Sequence, residues 1–135
     1  MTKHFMYGLP ALLLALALPA AAQTAGASGA ASKQIATAGA HAGMAMGAAD
    51  LATTHAHLHH VVNCLVGPSG KGFDAKEADP CKGQGQGAIV DAKGDAATEA
   101  RLQAALGHAE QGLKAATLDA AHADAKKAME SLQAK

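Results

Sequence analysis

Four imidazoles stand close together in Thr54-His-Ala-His-Leu-His-His60, and every other histidine of the chain except His4 lies at or after His41. Neutral imidazole is a ligand for copper, zinc and nickel, and it titrates near neutral pH. On a helix, His55 and His59 are one turn apart, with Cβ atoms roughly 5–6 Å from each other. Two rings at that spacing can converge on one ion at metal–nitrogen distances of about 2 Å. Projected at about 100° per residue along one continuous helix, His41 falls on the same edge as this pair, while His57 and His60 fall on the opposite side. The expected site is therefore His55 and His59, with His41 beside them and His122 reaching in from a later helix. His57, His60 and His108 complete the candidate set, His108 being the most solvent-facing in projection. Met44, one turn beyond His41, would add a thioether, and a His/Met mixture suits copper, with zinc or nickel next. Asp50 is the only carboxylate between residues 33 and 66. That argues against calcium, magnesium or a di-iron centre, all of which need oxygen ligands.

Cys64 and Cys81 are the only cysteines. In an exported chain an even count reads first as a disulfide, here closing the segment after His60 back on itself. The rival is a Cys₂His₂ zinc site, since His60 and Cys64 are four residues apart and His57 shares their face. Neither cysteine sits in a C-x-x-C-H pattern, which excludes covalent c-type haem. Haem held by two histidines would need large apolar walls that the chain lacks. No Ser/His/Asp arrangement and no carboxylate pair in a recognisable pocket pattern is present, so the chain reads as a non-enzyme.

The elements that must carry these residues follow from composition and pattern. Residues 1–22 read as a secretory signal peptide: Lys3 precedes the run Leu9-Pro-Ala-Leu-Leu-Leu-Ala-Leu-Ala-Leu18, and small residues follow. This points to a periplasmic or secreted protein with no membrane attachment once the signal is removed. Residues 23–32 read as a flexible Ala/Gly/Ser/Thr leader, and 33–135 as one helical domain. Within it, Met44, Ala48, Leu51, Leu58, Val62 and Leu65 recur at helical steps, so 33–66 is expected as one long helix, breaking only if its glycines interrupt it. Residues 67–94, rich in glycine and holding Pro68 and Pro80, read as a long loop with a turn of structure near Ile89-Val90, the acids Asp74, Glu77 and Asp79 being solvated. Asp95 is placed to cap a helix from Ala96 to about Ala115, and Thr117 another to Gln133. The expectation is an all-α bundle of three to four helices.

Without Lys3 the eleven basic residues become ten, against eleven acidic ones, and Phe73 is the only aromatic left. Nucleic-acid binding needs basic clusters and stacking rings, so it is set aside. Most of the 50% hydrophobic fraction is alanine. A core so poor in large side chains calls for a staple, either a disulfide or a metal. Gly39, Gly43 and Gly47 form a stripe of small residues that hints at self-association or a protein partner.

Leu106-Gly-His-Ala-Glu-Gln-Gly-Leu-Lys-Ala-Ala116 and Ala121-His-Ala-Asp-Ala-Lys-Lys-Ala128 resemble the repeats of the periplasmic small metal-binding protein family. The resemblance covers mainly the last thirty residues and more loosely His41 to His60. It implies a His-rich four-helix bundle that binds copper and other divalent metals, and it touches His108 and His122, each followed by Ala and an acid. The chain departs from that pattern in its Cys64–Cys81 segment and its fewer histidines, which favours one or two sites. The functional expectation is an exported protein that buffers or carries copper. The alternatives are a structural or interaction module with a disulfide-closed loop, and a non-covalent haem binder.

Overall fold

A computed structural model of the chain describes residues 27–135; the expected signal peptide and the start of the expected leader lie outside them. The described residues are all-helical, with five helices where three to four were expected: α1 (Gly29–Gly47), α2 (Leu51–Val66), α3 (Ala88–Asp91), α4 (Ala96–Lys114) and α5 (Leu118–Gln133). None is long and apolar enough to cross a membrane.

The expected helix over 33–66 is in fact two. Ala48 turns to extended backbone, and Asp50 restarts the helix as an N-cap, its carboxylate accepting from Thr53 N at 2.8 Å. The Thr53 hydroxyl donates to the same carboxylate and the Thr54 hydroxyl to the Asp50 carbonyl. Local capping chemistry thus overrides an apolar periodicity that runs through the break. The consequence is topological: α2 folds back antiparallel on α1. The leader is also shorter than expected, because the Ser28 side chain accepts from Ala31 N and starts α1 at Gly29.

Asp95 and Thr117 cap α4 and α5 through Thr98 N and Ala120 N. These two helices form a second antiparallel hairpin, tied at one end by Arg101, which donates to the carbonyls of Leu132 and Ala134. The four long helices close into an up-down-up-down bundle in which α1 touches α2 and α5, and α4 touches α2 and α5. The core combines Leu58, Leu65, Leu102 and Leu132 with alanines such as Ala38, Ala42, Ala105, Ala109 and Ala125. Small residues let helices approach closely. A Cβ on Gly112 would stand 2.7 Å from Leu58 Cδ1 and 3.3 Å from Asp124 Cβ, so a larger residue there would make Leu58 shift. The glycine stripe of α1 does not act alike: Gly43 lies near the Met129 sulfur, whereas a Cβ at Gly39 or Gly47 would meet nothing within 4 Å.

Residues 67–87 are turns, bends and irregular chain between α2 and α3. Cys64 and Cys81 form a disulfide with Cα atoms 5.2 Å apart, which takes both sulfurs out of any zinc site. Asn63, 1% exposed, fixes the segment from the other side: its amide donates to the carbonyls of Asp74 and Ala78, and its oxygen accepts from Asp74 N. The end of α2 is buried from Val61 to Val66 as a result, where a lone helix would bury one stripe. Gly67 and Gly87 cross at the base of the segment, and a Cβ on Gly87 would fall 2.5 Å from the Val66 carbonyl.

Gln34, also 1% exposed, ties α1 to α3: its amide nitrogen donates to Asp91 Oδ2 at 2.6 Å and to the Ala30 carbonyl, and its oxygen accepts from Gly87 N. Replacing it with leucine keeps the bulk but leaves the Gly87 N–H without a partner and takes one of two donors from Asp91 Oδ2, which Gln86 N still reaches at 2.8 Å. Leaving a buried N–H unpaired costs about 1–3 kcal/mol, so Gln34→Leu should lower unfolding free energy by about that much in urea titrations. An unchanged midpoint would mean that water replaces the amide.

Candidate metal centre

The hairpin of α1 and α2 decides which histidines meet. On one continuous helix His41 and His57, 16 residues apart, would be about 24 Å from each other along the axis. Folded back, α1 sets His41 Nδ1 3.2 Å from His57 Nδ1 and 3.2 Å from His60 Nδ1. A coordinating atom from each of the three rings lies within 4.8 Å of the other two, and all three side chains are half-buried. His41 and His60 meet edge-to-face at 4.8 Å between ring centres, and the His41 and His57 rings are tilted by 39°.

The three that meet all belong to the expected set, though not as its leading pair. His57 and His60, projected away from the site, are the residues that α2 brings to His41, and His55 and His59 are not. His57 and His60 share a face with Cys64, and it is His41 that meets them there. His59 Nδ1 lies instead 3.8 Å from Asp74 Oδ2. His55 Nε2 and His108 Nδ1 are buried without a hydrogen-bond partner among the described residues. His122 Nε2 is 3.0 Å from the Ala48 carbonyl, so it braces the α1–α2 connection. Met44 is 50% exposed and does not point into the core.

Three clustered nitrogens present a chemical problem. A neutral imidazole nitrogen carries either one hydrogen or one in-plane lone pair, so His41 Nδ1 can satisfy one neighbour and not both. A cation among the three would engage all three lone pairs at once. The two 3.2 Å separations from His41 also fit, since two nitrogens about 2.0–2.1 Å from a tetrahedral ion stand roughly 3.3 Å apart.

Burial pushes the His41 pKa below its usual value, and the neighbouring His60 and His57 add to the effect. Burial lowers His60 likewise, with His57 assisting and Glu77 opposing. Both groups therefore favour the neutral, metal-binding form. Because the folded values are depressed, the unfolded chain takes up these protons first. Stability is complete above about pH 6.5 and falls as pH drops through the lowered folded values. The metal-free melting temperature should be lower at pH 5 than at pH 7, with a shallower slope in a His41→Asn/His60→Asn variant. Parallel profiles for the two proteins would contradict this.

The chain matches no family model, no curated protein and no solved structure.

Proposed function

We propose that this chain is an exported, periplasmic metal-binding protein that buffers or carries a divalent ion through His41, His57 and His60. The observation that carries the reading is the cluster of ring nitrogens from His41, His57 and His60, all within 4.8 Å of one another and contributed by two helices. The Cys64–Cys81 bridge fits an oxidising compartment, as export requires. Copper(II) heads the candidate ions, because an all-nitrogen site follows the general affinity order in which copper exceeds zinc and nickel. With Met44 half exposed, the thioether argument for copper(I) lapses. Three helix-borne ligands leave a coordination position for exchange, which suits a carrier or buffer more than a structural site with four protein ligands.

Melting the protein with and without Cu²⁺ or Zn²⁺ tests the reading. A ligand that binds only the folded state, present at a hundred times its Kd, adds about 2.7 kcal/mol to stability. The midpoint should rise with metal and return with chelator. A purely structural module would show the same midpoint in all three conditions.

A further inference from the structure

The irregular chain between α2 and α3 encloses a cavity of about 370 Å³ that shares no residue with the histidine cluster. Small-molecule sites span about 300–1,000 Å³, so the space suits a small ligand. Its walls are the residues that flank the points where this chain is tied to the bundle. Phe73 and Ala75 stand on either side of Asp74, whose N–H and carbonyl are both held by Asn63. Glu77 and Asp79 stand on either side of Ala78, whose carbonyl accepts from the same Asn63 amide. Lys82 follows Cys81 of the disulfide, and Gly85 follows Gln84, whose side-chain oxygen accepts from the Thr37 hydroxyl of α1. Walls pinned at such short intervals are in place before a ligand arrives, so little ordering entropy opposes binding.

The lining divides by chemistry. Phe73 packs against the core and lines the cavity together with Pro68 and Ala75, which gives an apolar end. Glu77 and Asp79 supply two carboxylates and Lys82 one ammonium, an excess of one negative charge. The ion pairs among the described residues join other groups, so none of these three charges is neutralised by a neighbour. Asp79 uses Oδ1 to accept from Cys81 N and keeps Oδ2 free. Lys82 is exposed and carries its charge into water on a flexible stem, whereas the two acids are half-buried. A carboxylate pair and an aromatic ring attract the same kind of group: a cation bonds to the oxygens and is drawn to the ring face.

We propose that this cavity binds a small organic monocation, an ammonium or guanidinium group on an apolar body. Glu77 and Asp79 hold its charged end, and Phe73 and Pro68 hold its apolar end.

The test titrates phenethylammonium into the protein, kept metal-free with chelator, and follows the amide shifts in ¹⁵N–¹H NMR spectra. Phenethyl alcohol and hydrocinnamate serve as a neutral and an anionic counterpart of similar shape. The amine should give saturable shifts centred on residues 68–85. The alcohol should bind about tenfold more weakly or worse, since it lacks the charge-assisted bonds, and hydrocinnamate more weakly still. Glu77→Gln, which removes no hydrogen bond of the fold, should weaken the amine about tenfold and leave the alcohol unchanged; the same spectrum shows that the variant is folded. Shifts that never saturate, or that saturate away from residues 68–85, would overturn the site. Equal affinity for amine and alcohol, or wild-type affinity for the amine in Glu77→Gln, would overturn the assignment of a cation to it.

Discussion

His41→Ala should weaken Cu²⁺ binding by about a hundredfold or more, while His55→Ala and His59→Ala leave it within about twofold of the wild type. Loss of a residue that only orients a ligand typically costs 10–100-fold in affinity, and loss of one of the ligands should reach or exceed the upper end of that range. His41 is also the hub of the cluster, since its Nδ1 is the one 3.2 Å from both others. Without it, His57 and His60 remain as a two-nitrogen fragment on a single helix. The contrast with His55 and His59 matters as much as the loss, because those two share the one-turn spacing that makes any helical histidine pair look like a site. Isothermal titration of the three variants gives the comparison. A large loss in His55→Ala or His59→Ala, with His41→Ala unaffected, would show that the i,i+4 pair binds the ion after all.

The second large effect is on stability. Removing the disulfide by Cys64→Ala/Cys81→Ala should cost about 3 kcal/mol, the chain-entropy value for a loop near the 17-residue separation seen here. For a domain of this size that corresponds to a melting temperature lower by roughly 10–20 °C. The estimate is meaningful because the rest of the core is so rich in alanine: few large side chains are available to compensate. Asn63 and the Gly67–Gly87 crossing hold the same segment independently, so the variant should still fold at low temperature. Calorimetry of the double variant beside the wild type checks this. A melting temperature within a few degrees of the wild type would mean that those contacts alone fix the segment.

The helical class was legible because alanine-rich stretches without proline, spaced by caps, admit little else. Asp95 and Thr117 were readable as N-caps because each follows a break in the apolar stripe and is followed by a helix whose stripe then resumes. Asp50 has the same chemistry but no such break around it. Met44, Ala48, Leu51 and Leu58 keep a helical rhythm across the turn, so periodicity and capping disagreed there and capping prevailed. The signal that marked the turn was Gly47 followed by Asp50 with Thr53 three residues on.

The error at Asp50 propagated into the site. A projection along one helix is valid only while the helix continues, and past Asp50 the azimuths of His57 and His60 relative to His41 lose meaning. The histidine-rich character of the site was visible in the sequence, and its partners were not. Gln34 and Asn63 were missed for another reason: nothing in one sequence distinguishes a buried amide that clamps a loop from a solvated one. Asp74 and Asp79, read as solvated, are engaged by the loop for the same reason.

The most direct measurement is the ¹⁵N–¹H NMR spectrum of the imidazole rings as Zn²⁺ is added at neutral pH. The proposed site predicts that the Nδ1 resonances of His41, His57 and His60 shift together to metal-bound values at one equivalent, while those of His55, His59, His108 and His122 keep their metal-free tautomers. Binding that moves the His55 and His59 rings instead, or that spreads evenly over all of them, would contradict it.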